Sequence, residues 1–112
     1  MNRRAPALLA AIAVIVALLA TAAYAAEIMG ADKMDTLFES QRSDVIKGLR
    51  GADTIHADQF HFDTDRLSGG KGRDILDAQD QDNRDTLNGG KGMDQCTGDP
   101  LDTYISCEIR KP

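Results

Sequence analysis

The stretch GGKGRDILD, residues 69–77, decides how the rest of the chain reads, and it recurs as GGKGMDQCT at residues 89–97. Each copy carries two adjacent glycines, a third glycine two places on, an aspartate two places after that, and then a short segment suited to an extended strand. A backbone whose carbonyl oxygens must converge on one point needs φ values that side chains forbid, and glycine supplies them. The aspartate adds the charge, so each copy reads as a cation-binding turn followed by a strand.

Outward from these two copies, the chain divides into nines. The units are GADKMDTLF (30–38), ESQRSDVIK (39–47), GLRGADTIH (48–56), FHFDTDRLS (60–68), GGKGRDILD (69–77), DQDNRDTLN (80–88), GGKGMDQCT (89–97) and a degenerate GDPLDTYIS (98–106). Three residues, 57–59, and two, Ala78 and Gln79, are inserted between units. The sixth position is then Asp35, Asp44, Asp53, Asp65, Asp74, Asp85 and Asp94, and fails only at Thr103. The eighth is Leu37, Ile46, Ile55, Leu67, Leu76, Leu87, Cys96 and Ile105. Turns favour aspartate and glycine in general, but that preference would not hold a two-residue offset between aspartate and aliphatic along the whole chain.

A unit with one reliably apolar position cannot bury a core alone; a stack of such units can. The x-aliphatic-x triplets are expected to be short strands and the hexapeptides before them turns. Two units make one flattened coil, and coils stack with strands about 4.8 Å apart. The expected fold is all-β, about four two-unit coils with the eighth-position side chains meeting inside.

Alternate units fall on opposite edges of such a stack. Units beginning at Gly30, Gly48, Gly69 and Gly89 share one edge; ESQRSD, FHFDTD, DQDNRD and GDPLDT share the other, where both insertions also fall. On the glycine edge Asp35, Asp53, Asp74 and Asp94 form a ladder. Carboxylates about 5 Å apart repel by roughly 3 kcal/mol at an effective dielectric of 20, and a divalent cation between rungs relieves this. Calcium suits the site better than magnesium, which resists dehydration, or zinc, which prefers histidine and thiolate. The best site is expected between Asp74 and Asp94, with Gly70, Gly72, Gly90 and Gly92 shaping a cage of carbonyls; weaker ones are expected between Asp53 and Asp74 and between Asp35 and Asp53. On the second edge, Asp77, Asp80, Asp82 and Asp85 form an acidic cluster that could hold another ion, although it reads first as a solvated acidic turn. An EF-hand is excluded there, because counting from Asp80 places Asp85 at position six and Lys91 at position twelve.

These units resemble the nonapeptide GGxGxDxUx of the repeats-in-toxin (RTX), or hemolysin-type calcium-binding, family, with the strongest match at residues 69–77 and 89–94 and a good one at 48–56. The resemblance implies a right-handed parallel β-roll in which calcium sits in the turns between units i and i+2, held by turn carbonyls and the sixth-position aspartates. Many members place a catalytic or pore-forming domain before the repeats and leave the cell through a C-terminal signal. Toxin or protease activity is not expected to carry over to this chain.

The first residues have a different character. Arg3 and Arg4 precede an apolar run, residues 7–23, broken only by Thr21, and Ala23-Tyr24-Ala25 offers a small-x-small cleavage site. Residues 1–25 read as a helical secretory signal peptide, a membrane anchor being the competing reading. Cleavage leaves residues 26–112 as one domain, with 11 basic against 18 acidic residues and a net charge of −7. That balance argues against nucleic acid or an anionic membrane as partner and favours cations. In an exported chain Cys96 and Cys107, with ten residues between them, read as a disulfide; in a cytosolic one they would be free thiols. The bond is expected to tie the last coil to the tail, residues 96–112 serving with Pro100 as a C-terminal cap.

His56 and His61 could be read as a metal pair but read first as surface residues, and Phe60 and Phe62 read as cover for a gap at the insertion rather than as a small apolar patch for a partner. Ser68 and Ser106 have no supporting histidine, so an enzyme is not expected. Two functions remain: a secreted, extracellular calcium-binding module whose folding is coupled to calcium, or a surface adhesin for a protein or polysaccharide in which calcium is only a staple.

Overall fold

The computed structural model describes residues 26–59, 63–82 and 84–111. Within them, seven of the eight triplets form a strand where the nonapeptide register puts it: β2 (Thr36–Phe38), β3 (Val45–Lys47), β4 (Thr54–His56), β5 (Arg66–Ser68), β6 (Ile75–Ala78), β7 (Thr86–Asn88) and β8 (Gln95–Gly98). One short strand precedes them, β1 (Glu27–Met29), and two follow, β9 (Thr103–Ile105) and β10 (Ile109–Lys111). The expected signal segment, together with Phe60, His61 and Phe62, lies outside the described residues.

The strands form two parallel sheets, ordered β1-β3-β5-β7-β9 and β10-β8-β6-β4-β2. Consecutive strands never pair; each pairs with the strand two units away, as a solenoid requires. Register is kept by the eighth position, Ile46 opposite Leu67 and Leu67 opposite Leu87 in the first sheet, Leu37 opposite Ile55, Leu76 opposite Cys96 in the second. A three-residue strand buries only its middle side chain, because alternate residues point to opposite faces. Ile46, Ile55, Leu67, Leu76, Leu87 and Cys96 accordingly make a single buried row between the sheets, extended by Ala57 and Ala78 and flanked by Ile28, Leu37 and Tyr104. The fold is a parallel β-solenoid, as the repeat spacing implied.

The last unit corrects the register. Leu87 pairs with Tyr104, not Ile105, and the backbone N–H of Asp85 donates to Oδ1 of Asp102 at 3.0 Å. Asp102 therefore takes the sixth position and Tyr104 the eighth, while Ile105 is exposed and Thr103 stands between. The unit is one residue short, not degenerate, and the aspartate row does not fail there. The stack also continues past it. After β9 a three-residue turn, 106–108, leads into β10, where Arg110 lies opposite Cys96 and places its guanidinium 3.9 Å over the Tyr104 ring. Cys107, in that short turn, is disulfide-bonded to Cys96 with a Cα–Cα distance of 5.8 Å. The end of the roll is thus closed by a covalent bond and a cation over an aromatic face, with Pro100 lying one coil-half earlier than the cap expected of it.

Candidate metal centre

Along each edge the sixth-position carboxylates form a hydrogen-bonded ladder. On the glycine edge the N–H of Asp35 donates to Oδ1 of Asp53 (2.9 Å), Asp53 to Asp74 (2.9 Å), Asp74 to Asp94 (2.8 Å), and Asp94 to Oε1 of Glu108 (2.9 Å). On the second edge Ala26 donates to Asp44 (3.2 Å), Asp44 to Asp65 (2.7 Å), Asp65 to Asp85 (2.7 Å) and Asp85 to Asp102 (3.0 Å). Each aspartate carbonyl from Asp35 to Asp94 also accepts from the first residue of the next strand in its sheet, as in Ile75 N–H to Asp53 O at 2.8 Å. Position six needs a short side-chain acceptor that reaches exactly one coil along, and this is why aspartate recurs where other polar residues drift. Glu108 fills the role at the end of the row, a function that its place outside the nonapeptide register concealed.

Using Oδ1 in the ladder leaves Oδ2 for something else. On the glycine edge Oδ2 of Asp53, Asp74 and Asp94 is buried with no hydrogen-bond partner, and no basic side chain pairs with these carboxylates among the described residues. Burial is the main reason that Asp53, Asp74 and Asp94 have raised pKa values, with Asp74 pushed up to about 6. Next in the upward direction come like charges: Asp35 for Asp53, Asp94 and then Asp53 for Asp74, and Glu108 for Asp94. Asp35 differs, because its Oδ2 already accepts from the Ala31 N–H at 2.6 Å.

The turns above these carboxylates stack backbone on backbone. Lys71 N–H donates to Leu49 O (2.8 Å) and Lys91 N–H to Gly70 O (3.0 Å). Gly72 and Gly92 have φ of 118° and 119°, and a Cβ on Gly92 would collide with the carbonyl oxygen of Gly72. At position two, Gly70 and Gly90 have φ of 87° and 83°, and Leu49 is held at 74° in the same place. The glycines expected to shape a carbonyl cage stack in two columns, Gly70 with Gly90 and Gly72 with Gly92, while the glycines that lie against the carboxylates of Asp53, Asp74 and Asp94 are Gly48, Gly69 and Gly89. The edge brings one carboxylate per coil, so an ion there must draw its remaining ligands from turn carbonyls.

The second edge is not the solvated acidic turn that its composition suggests. Asp80 and Asp85 are each only 1 % exposed and Asp82 is half-buried. Carboxylate oxygens of Asp65, Asp80 and Asp85 lie within 4.8 Å of one another, as do those of Asp82, Asp85 and Asp102, of Asp63, Asp80 and Asp82, and of Glu39, Asp63 and Asp65. Asp77 is elsewhere, grouped with Asp58 and His56 at the end of β4 and β6. His56 stacks on Phe38 at 5.0 Å and lies 3.8 Å from Asp58, so it is half-buried and engaged, not merely a surface residue. Burial first, then mutual repulsion, pushes Asp65 up to about 9, Asp85 to about 8 and Asp80 to about 7. The sequence hid this convergence because Asp63, Asp80 and Asp82 fall in lengthened turns, outside the repeating positions.

The RTX calcium-binding nonapeptide repeat model matches the chain in four copies, over residues 40–59 and 62–96. The chain belongs to the RTX calcium-binding nonapeptide repeat family. No curated protein and no solved structure matches it. The four RTX copies span both edges, including the second-edge units that lack the double glycine. RTX repeats are calcium-binding repeats, and here they fold as a β-roll stabilised by one disulfide.

Proposed function

We propose that this protein is an exported, non-enzymatic calcium-binding module whose β-roll is completed by calcium on the glycine edge, between Asp74 and Asp94 and between Asp53 and Asp74. The observation that carries this reading is the column of buried Oδ2 atoms on Asp53, Asp74 and Asp94, each without a partner. A buried carboxylate lacking a counter-charge is costly, and calcium accepts a mixed set of carboxylate and carbonyl oxygens. Gly70, Gly72, Gly90 and Gly92 let those carbonyls approach. Asp35 contributes least, its Oδ2 being engaged by Ala31.

The apolar row between the sheets is one side chain deep, and ordering every backbone residue costs about 1 to 2 kcal/mol. Calcium binding to the folded form then supplies stability by mass action. Residues 1–25 direct export and are removed, and the Cys96–Cys107 bond fits an oxidising compartment. Far-ultraviolet circular dichroism with calcium and with chelator tests the coupling: a β-rich spectrum is expected with calcium and loss of structure at pH 7.5 without it. A spectrum unchanged by chelation overturns it. In calorimetric titration, an Asp74→Ala, Asp94→Ala variant that binds as tightly as the unmodified protein overturns the site.

The adhesin reading keeps the same roll and draws on one observation, the exposed Ile75 and Ile109 on the sheet ordered β10-β8-β6-β4-β2, with the exposed Met34 and Met93 in the turns just before β2 and β8. A pull-down from envelope material with and without calcium separates the two, since a pure ion binder recovers no protein or polysaccharide in either condition.

A further inference from the structure

The ninth position of the glycine-edge units takes no part in the turns or in the inward row. Because the eighth residue points inward, the ninth points out from the sheet ordered β10-β8-β6-β4-β2. Parallel register lines up Phe38, His56, Asp77 and Thr97 in one outer column, with His56 and Asp77 paired directly across β4 and β6. The insertion 57–59 adds a third group. Ala57 turns inward, fully buried, and its N–H donates to Asp77 O at 2.7 Å. Asp58, two residues after His56, therefore returns to the outer face beside it. One ring nitrogen of His56 and one carboxylate oxygen from each of Asp58 and Asp77 lie within 4.8 Å of one another.

These groups face one another without a hydrogen bond between them. Nδ1 of His56 stands 3.8 Å from Oδ1 of Asp58, beyond hydrogen-bond reach but within the span of two ligands on an ion whose bonds are each about 2.0 to 2.2 Å. Oδ1 of Asp77 accepts the Gln79 N–H at 3.1 Å, which fixes the carboxylate and leaves Oδ2 over. No lysine or arginine pairs with either aspartate among the described residues. The imidazole is held too: it stacks on Phe38 with ring centroids 5.0 Å apart and planes 12° from parallel. Burial lifts the Asp77 carboxyl above its ordinary value, and the Asp58 charge lifts it further. A cation at this point answers both carboxylates.

We propose that His56, Asp58 and Asp77 form an open three-ligand site for a divalent transition metal, zinc foremost, on the outer face of the roll. The site shares no residue with either sixth-position ladder, and its centre is a cross-strand pair on a sheet face. Imidazole combined with carboxylate suits zinc, whereas calcium and magnesium take oxygen ligands alone. Zinc held by three protein groups keeps a water in its remaining position, and the half-exposed setting of His56 and Asp77 admits one.

Calorimetric titration of zinc into the protein without a polyhistidine tag tests this, with calcium in excess so that oxygen-rich sites are closed to zinc. His56→Gln should weaken zinc binding by at least about tenfold, the size that loss of an outer-shell partner already reaches. Asp77→Asn keeps the oxygen that accepts the Gln79 N–H and should do the same. Asp35→Asn, which removes a charge from the glycine-edge ladder, should leave zinc affinity within about twofold; a loss as large as that of His56→Gln would mean that zinc binds acidic turns in general and overturns the site. Cobalt(II) gives a second readout, since its visible absorption in the unmodified protein should be lost in His56→Gln. Circular dichroism in calcium checks that each variant folds, and Asp58→Asn, at an inserted residue outside every strand, replaces one that does not. No zinc binding by the unmodified protein, or unchanged zinc affinity in a folded His56→Gln, Asp77→Asn or Asp58→Asn protein, overturns the proposal, whatever calcium does on the glycine edge.

Discussion

The two edges of this roll carry the same hydrogen-bonded ladder and solve the spaces between its rungs in different ways. On the glycine edge the turns 30–35, 48–53, 69–74 and 89–94 are all six residues long. On the other edge, counting from the residue after each three-residue rung, the turns 39–44, 57–65, 78–85 and 98–102 have six, nine, eight and five. Both edges keep the N–H to Oδ1 link from one coil to the next. The link and the strands therefore set the rise of the roll, and turn length is free wherever turns need not stack backbone on backbone. Where they must stack, glycine and a fixed length are imposed together.

The largest expected effect on this contrast comes from pH. Asp65 at about 9, Asp85 at about 8, Asp80 at about 7 and Asp74 at about 6 all lie above their ordinary value of 3.8. In the unfolded chain these groups lose their protons near pH 4, while in the metal-free fold they hold them to higher pH. Stability is therefore fully present below about pH 4, declines as pH rises, and is lost in full only above about pH 9. The metal-free protein should be most ordered in mild acid, with protons standing in for calcium. Thermal melts in chelator from about pH 4 to pH 9 measure this. Since three of the four values belong to the second edge, Asp85→Asn should flatten the upper part of the curve more than Asp74→Asn does.

Next comes the stacking of the glycine column. Gly92→Val places a Cβ against the Gly72 carbonyl at a φ of 119° and is expected to destabilise the calcium-bound protein by about 3 kcal/mol. Arg84→Val, at an exposed position of a second-edge turn, should change stability by less than about 0.5 kcal/mol. Equal losses in denaturant titrations would erase the distinction between the edges. A smaller effect, about 2 to 3 kcal/mol, is expected from Cys96→Ala with Cys107→Ala, because the disulfide holds the one glycine-edge turn that has shrunk to three residues. The smallest is a gain. Leu49 occupies the left-handed position that Gly70 and Gly90 fill in the neighbouring coils, so Leu49→Gly should raise stability by up to about 1 kcal/mol, read as a higher melting temperature in calcium.

Much of this molecule was legible in its letters. The offset between Asp53 and Ile55, repeated at Asp74 and Leu76 and at Asp94 and Cys96, located the strands and the inward row, because both depend on spacing within one unit. The glycine column was legible for the same reason. At the C-terminus the letters misled: Thr103 and Ile105 continue the ninefold count, but the structure takes Asp102 and Tyr104. A one-residue deletion is hidden when the aliphatic Ile105 stands where the ninefold count expects one, although an aspartate two places before an aromatic, Asp102 before Tyr104, repeats the offset and could have revealed it.

The chain by itself determined that there would be a roll, which edge would carry glycine, and which aspartates would recur, since each follows from a periodic local preference. Only the tertiary structure decided that Asp63, Asp80, Asp82 and Asp102 would join Asp65 and Asp85 in a buried seam, and that Glu108 would end the ladder. Asp63, Asp80, Asp82 and Glu108 obey no period, and Asp102 keeps the sixth position only through a one-residue deletion. They meet because stacking brings positions some twenty residues apart within one strand spacing, a distance fixed by sheet hydrogen bonds and not by anything in the turns themselves.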